Sequence, residues 1–288
     1  MDERKKILVT GARGQLGSEI KTIADKYPAF EFLFTDRETL SVTDEAAILS
    51  YFQQHQPQYC INCAAYTAVD KAEDPAERSL VEALNSEAPG YLAKACTAYG
   101  AKLIHISTDY VFDGNGTVPY KEEDPTGPVS VYGITKLEGE KKALQYTDAI
   151  IIRTAWVYSI YGKNFVKTMI RLMQERPHIN VVCDQYGTPT YAADLAEAIM
   201  QIIVSKKWRS GIYHYSNEGK ISWYDFAVAI KDLIHADTEI KAIPTVAYPT
   251  PAKRPAWSVL DKTKIKETYN VPIPNWSNSL QACIQKLQ

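Results

Sequence analysis

Seven residues near the N-terminus, Gly11-Ala12-Arg13-Gly14-Gln15-Leu16-Gly17, constrain the fold more than any other segment. They follow directly on a strand-like stretch, Lys6–Thr10. They open a stretch in which Leu16, Ile20 and Ile23 recur on one helical face. Glycine permits the tight strand-to-helix turn and lets backbone N–H groups approach a bound anion, to which the helix N-terminus adds partial positive charge. The first half then repeats the alternation. Phe30–Thr35, Tyr59–Ala64, Leu103–Ser107 and Ala149–Arg153 read as further strands, and Ser79–Tyr99 and Val131–Tyr146 as helices between strands. Short apolar strands separated by longer helices predict a parallel sheet covered on both faces.

The expected class is therefore α/β: a Rossmann-type doubly wound parallel sheet with a smaller, discontinuous C-terminal lobe. Beyond about residue 155 the alternation loosens. Helices are expected at Asn164–Glu175, Tyr191–Val204, Ser222–Ile234 and Ser277–Leu287, separated by turn-rich pieces such as Pro244–Pro255 with its four prolines. Residues 1–153, with about 181–212, are expected to form the sheet domain, and about 154–180 with 213–288 the lobe. A chain of 288 residues, 45% hydrophobic and 23% charged, has the material for a full core and is not of a disordered class. Its net charge of −2 offers no basic excess for a nucleic-acid backbone. No run approaches the ~18 apolar residues of a membrane span, Met1–Lys6 leads into no signal-peptide core, and the five cysteines form no disulfide framework. A cytoplasmic setting is expected.

The spacing Gly-x-x-Gly-x-x-Gly is not the commoner Gly-x-Gly-x-x-Gly, and alone it does not separate a dinucleotide site from an ordinary turn. Asp36 supplies context. It ends the second strand, where an acidic residue would hold an adenosine ribose. Arg13 and Arg37 stand beside it and could instead clamp a 2′-phosphate with a bidentate fork. A nicotinamide dinucleotide fits best, with NADPH favoured and NADH tolerated. Tyr132 and Lys136, four residues apart on a predicted helix, share one face and form the sole Tyr-x-x-x-Lys of the chain. Thr108 ends the fourth strand, at the edge where open α/β sheets bind ligands. A phenol flanked by an ammonium and a hydroxyl has the makings of a proton donor to a carbonyl that receives hydride.

These stretches carry a resemblance. The chain resembles the extended short-chain dehydrogenase/reductases, and within them the dTDP-4-dehydrorhamnose reductase family. The matching segments are GARGQLG at 11–17, NCAAYTAVDKAE at 62–73, STDYVFDG at 107–114, YGITKLEGE at 132–140, RTAWVY at 153–158, NFVKTM at 164–169, DQYGTPT at 184–190 and YPTPAKRPAWSVLD at 248–261. The resemblance implies NADPH-dependent reduction of the C4 keto group of a dTDP-linked 4-keto-6-deoxy sugar. Tyr132 would give its proton to the carbonyl oxygen, Lys136 would bind the nicotinamide ribose and tune Tyr132, and Thr108 would polarise the carbonyl, with Asp109 close to substrate. Gly11, Gly14, Gln15, Leu16 and Gly17 would cradle the cofactor. Ala64, Ala65 and Tyr66 would run along it, and Ser41 and Val42 would lie near its adenine. Trp156 would pack on the sugar nucleotide, and Asn164, Phe165 and Arg254 would reach its diphosphate or base. One departure is informative: related 4,6-dehydratases carry Asp-Glu after the strand-four threonine, whereas here Asp109 is followed by Tyr110, which disfavours elimination.

Other features are weighed and set aside. Cys60 and Cys63 form Cys-x-x-Cys within a strand, where side chains alternate faces and need not converge. The five histidines show no metal-ligand spacing. Some members of the family bind Mg²⁺ at a subunit contact; Glu19 matches one such position without companions, so no metal is expected, and the assembly is left as monomer or homodimer. Trp208, Trp223, Trp257 and Trp276 read as packing residues. Two other functions fit the scaffold: a non-catalytic NADP-binding protein resembling the regulatory subunit of methionine adenosyltransferase, and another sugar-nucleotide reductase or epimerase.

Overall fold

The computed structural model describes residues 4–288. The first half runs β1 (Lys5–Thr10), α1 (Gln15–Ile23), β2 (Phe30–Phe34), α2 (Glu45–His55) and β3 (Tyr59–Asn62). A helical run follows: α3 (Arg78–Glu82), a π-turn (Ala83–Glu87) and α4 (Ala88–Tyr99). β4 (Lys102–Thr108), α5 (Val131–Tyr146) and β5 (Ile150–Thr154) complete it. The second half holds β6 (Val157–Tyr158), α6 (Phe165–Glu175), β7 (His178–Val182), β8 (Tyr186–Gly187), β9 (Thr190–Tyr191), α7 (Ala192–Val204) and β10 (Gly211–His214). It ends with β11 (Ile221–Ser222), α8 (Trp223–Ile234), β12 (Glu239–Ile243), α9 (Thr263–Tyr269) and α10 (Trp276–Leu287).

The main sheet has six strands in the order β10-β5-β4-β3-β1-β2, all parallel. β1 pairs with β2 on one side and β3 on the other, so the chain reverses its progress across the sheet there and leaves a crevice at the carboxyl ends of the strands. Alternation divides the strand residues between two cores. Ile7, Val9, Ile61, Ile104, Ile150 and Ile152 pack with residues of α1 and α7. Leu8, Cys60, Leu103 and Ile151 pack with residues of α2, α4 and α5. Burial on both faces is why these strands read as unbroken apolar runs.

Two close approaches aim α5. A Cβ at Gly133 would overlap the carbonyl of Tyr110, and one at Gly139 would overlap that of Asn85. α5 can thus lie directly on the loop after β4 and on the π-turn. Ser130 caps it, accepting from the Gly133 N–H. The remaining segments build a second body. A separate core joins α6, α8 and α10 to the parallel pair β7–β12. β10 returns to the main sheet beside β5, and α7 packs on α1.

Candidate active site

Two adjoining concavities sit over the carboxyl ends of the strands. The smaller, about 300 Å³, is bounded by Gly11, Arg13, Gly14, Asp36, Arg37 and Glu38. The larger, about 610 Å³, shares Gly14 with it and runs past Thr108, Tyr132 and Lys136 to Trp156 and Arg254. The glycine turn shapes the junction. Gly11 sits at φ +63, and a Cβ there would come within 2.7 Å of the Ala64 nitrogen; one at Gly17 would come within 2.6 Å of the Ala12 Cα. α1 begins at Gly14 with no side-chain cap and no acidic residue in its first turn, so its leading N–H groups remain available to an anion.

At the smaller concavity Asp36 is already well supplied with donors. Its Oδ1 accepts from the backbone N–H of Glu38 and of Thr39 and from the Thr39 hydroxyl, while Oδ2 pairs with Arg13 Nε at 2.5 Å. Burial works against the charge, but these donors together hold the carboxyl below its ordinary range. Arg13 also reaches Glu38 at 2.9 Å. The acid thus shapes its loop and tethers Arg13, and Arg37 stands at the same rim. Ser41 and Val42 lie off this rim: Val42 is buried in the core and the Ser41 hydroxyl bonds Thr43. Arg37→Ala is expected to reduce the NADPH-to-NADH affinity ratio about tenfold, the scale of one charge-assisted pair. Fluorescence titration of both reduced cofactors reads it, and an unchanged ratio sinks the role.

At the larger cleft Thr108, Tyr132 and Lys136 line one wall. Thr108 Oγ1 donates to Asp109 Oδ1 at 2.9 Å. Burial pushes the half-buried Tyr132 phenol well above its ordinary range, and a hydrogen bond with Thr108 works the other way. The Tyr110 ring stands edge-on to Tyr132, with centroids 5.5 Å apart. Lys136 is buried; its Nζ donates to the Ile106 carbonyl at 2.6 Å and lies 3.4 Å from His105 Nε2. Burial lowers this amine to about 8, against the pull of Glu140 and Cys63. Burial raises Asp109 to about 6, against the bond from Thr108 and the nearby Ser258 hydroxyl and backbone. Ser258 donates to the Tyr186 carbonyl, and no donor lies within hydrogen-bond distance of Asp109 Oδ2.

The far wall comes from the second half of the chain. Trp156 holds φ +48, a left-handed conformation uncommon for a bulky residue, and its ring stacks on Trp223 with centroids 3.5 Å apart. Arg254 is held by Asp70 at 2.5 Å and by the Tyr110 hydroxyl at 2.9 Å. Gln15 and Ala65 line the cleft, whereas Tyr66 turns aside to donate to Glu77. Asn164 and Phe165 stand behind the wall. Asn164 caps α6 through the Lys167 N–H and donates to Gln15 Oε1, and Phe165 packs against Trp223 and Phe226.

A family model described as RmlD substrate binding domain matches residues 5–288. The chain belongs to that family. A dTDP-4-dehydrorhamnose reductase of Aggregatibacter actinomycetemcomitans is 41% identical over 287 residues, covering 96% of this chain and 97% of the relative. The crystal structure of a dTDP-4-dehydrorhamnose reductase from Clostridium acetobutylicum superposes with a TM-score of 0.93 at 42% identity, covering 98% of this chain and 99% of that one. The enzyme of the same name from Bacillus anthracis, solved in complex with NADP, gives 0.94 at 35% identity, covering 99% and 100%.

Within the RmlD family frame, several features of the sequence find their places. Trp223, which reads as a packing residue, lines the cleft beneath Trp156; no local pattern in α8 announces it. Cys60 packs on the α2–α4 side of the sheet and Cys63 against the opposite core, and burial raises the Cys63 thiol. The Cys-x-x-Cys thiols thus face opposite ways, and the thiol beside Cys60 is that of Cys96. Among the described residues no group of three or more His, Cys, Asp or Glu side chains could hold a metal; Glu19 is buried and accepts from the Ser159 hydroxyl. No described helix is long and apolar enough to cross a membrane. A wider concavity of about 900 Å³ lies among α6, α8 and α10, and neither Tyr132 nor Lys136 lines it.

Proposed function

We propose that this chain reduces the C4 keto group of dTDP-4-dehydro-β-L-rhamnose to dTDP-L-rhamnose, with NADPH as reductant. The observation that carries the reading is the meeting of Tyr132, Lys136 and Thr108 in a cleft continuous with the glycine turn and walled by Trp156 and Arg254. The residues fit a dinucleotide: backbone fills the space a Cβ would need at Gly11 and Gly17, and the open start of α1 faces the junction of the two concavities. When bound, reduced nicotinamide supplies a hydride. The names of the relatives and the NADP in one of them support the same reading.

The chain's own groups handle the proton. Tyr132 stays protonated through neutral pH, because burial raises its phenol, and so it arrives as an acid. Its hydroxyl gives a proton to the carbonyl oxygen as negative charge grows there, and the Thr108 hydroxyl steadies the same oxygen by turning its one proton from Asp109 toward it. Lys136 holds the ribose side and favours the tyrosinate left behind. The unpartnered Oδ2 of Asp109 suits a sugar hydroxyl, which would supply the missing donor. Arg254 spends two of its five N–H donors on Asp70 and Tyr110 and keeps others for a diphosphate.

The reading assigns the six-stranded sheet with its helices, including α7 and β10, to dinucleotide binding and the second body, built from α6, α8, α10 and the β7–β12 pair, to the sugar nucleotide. The segment expected from about 181 joins the sheet only from α7 onward, because β7 to β9 pack in the second body. It carries with it a cytoplasmic setting. Turnover of the keto sugar with NADPH is the direct test, and a chain that binds NADPH but never turns over is a regulatory protein. Trp156→Ala and Arg254→Ala should each weaken dTDP-rhamnose about tenfold or more, on the scale of one aromatic wall or one charge-assisted hydrogen bond. NADPH affinity should stay near wild type. Calorimetry on both ligands separates these outcomes; normal dTDP-rhamnose binding by both variants refutes the assignment of the second wall.

A further inference from the structure

Beneath the cleft a buried polar line, Thr10, Asn62 and His105, runs through β1, β3 and β4 to Lys136 of α5, and the reaction as described uses only its last member. All four are almost wholly buried. Hydrogen-bond accounting along it has one solution. The Ala64 backbone N–H, which can only donate, lies 3.2 Å from one terminal atom of the Asn62 amide, so that atom is the oxygen. The Thr10 hydroxyl donates to the same oxygen at 2.6 Å. The other terminal atom is therefore nitrogen, and it donates to His105 Nδ1 at 3.0 Å. An Nδ1 that accepts is bare. A neutral imidazole must then carry its proton on Nε2, and Nε2 faces Lys136 Nζ at 3.4 Å.

We infer that His105, fixed by Asn62 as the Nε2–H tautomer, is a positioning residue that lowers the proton affinity of Lys136: its N–H faces Nζ, opposes the ammonium and can donate to the amine only once that proton has left. Nζ then gives one proton to the Ile106 carbonyl and keeps a donor for whatever enters the cleft. The other groups bearing on Nζ pull the opposite way: Glu140 one turn along α5 and Cys63 after β3 both favour the ammonium. Glu140 is already engaged by Arg153 and Ser107. Burial and the nearby Lys136 keep His105 far below its ordinary range, so the imidazole stays neutral. His105 touches neither substrate nor cofactor in this scheme; it acts through Lys136.

The inference rests on the proposed reduction only for its kinetic arm. Long-range ¹H–¹⁵N spectra of the ¹⁵N-histidine-labelled chain read the tautomer without any substrate, and the signals absent from His105→Phe assign one of the five histidines. A neutral Nε2–H ring is expected in wild type. Asn62→Asp offers Nδ1 an acceptor in place of a donor, so the tautomer should flip and Nε2 should accept from the ammonium. In the kinetic arm, the alkaline limb of kcat/KM for the keto sugar should move up by about one pH unit in both variants, a tenfold change in proton affinity. A structural role alone would lower activity without moving that limb. An Nδ1–H or charged His105 in wild type overturns the inference, and so does an unmoved limb in a folded variant. Should the keto sugar not be turned over at all, the functional reading fails and the tautomer still decides the rest. If Asn62→Asp fails to fold, the wild-type spectrum and the His105→Phe limb carry the test.

Discussion

Tyr132→Phe should lower turnover of the keto sugar by about 10²–10⁴-fold, the usual worth of a positioned general acid. The substitution removes one oxygen and little else. The ring keeps its edge-on contact with Tyr110, and α5 keeps its Ser130 cap and its close packing at Gly133. NADPH affinity should therefore change little, and the loss should fall on kcat and kcat/KM together, as it does when an interaction made only in the transition state is deleted. Lys136→Met is a useful contrast, because it removes both a donor on the ribose side and the charge that favours tyrosinate, and it should weaken cofactor binding as well. Single-turnover absorbance of NADPH at saturating substrate separates chemistry from release. Near-normal turnover in Tyr132→Phe would move the acid to another group, with Asp109, raised to about 6, the next to be examined.

The parts of this site that were legible in the sequence are local ones. The glycine turn is chemistry that a handful of adjacent residues decides, and the Val131–Tyr146 helix is bounded by Ser130 before it and a loss of pattern after it. α2 is harder to single out, because only Ile48 and Phe52 of its 11 residues are buried and a half-exposed helix leaves a faint stripe. What escaped was set by partners far along the chain. Trp223 reaches the cleft because Trp156, 67 positions earlier, takes a left-handed turn and stacks on it. Asn164 and Phe165 look like ligand contacts in the sequence, yet a cap and an aromatic cluster account for both. Asp36 looks like a free ribose acceptor, yet Thr39 and Arg13 already occupy it. A sequence shows which groups are capable of a contact; only the fold shows which of them have spare hydrogen-bonding capacity.

Arg153→Met should destabilise the chain by about 3–5 kcal/mol, the range for stranding one member of a buried ion pair. Arg153 and Glu140 are each 2% exposed, joined by Nε to Oε1 at 3.0 Å and Nη2 to Oε2 at 2.8 Å. The Ser107 hydroxyl donates to the same carboxylate at 2.5 Å, and the guanidinium lies over the Phe112 ring, 5.0 Å from its centroid. With the arginine gone, a carboxylate remains in the core with one hydroxyl for company. The cost comes from that uncompensated charge rather than from the worth of the pair, so removing both partners should be much milder. Arg153→Met with Glu140→Leu is expected to recover most of the loss, a coupling that a double-mutant cycle in urea measures directly. Equal slopes in the denaturation curves are needed for the comparison to hold. The consequence for function follows from position: Ser107 precedes Thr108, and Glu140 lies one turn beyond Lys136, so the pair ties the end of β4 to α5. The double variant should thus be stable and still slow, because an apolar contact fills the space without fixing the register of Thr108 against Tyr132. A double variant as unstable as Arg153→Met alone would mean that the loss comes from packing on Phe112, and the ion pair would then have no separate part in holding the site.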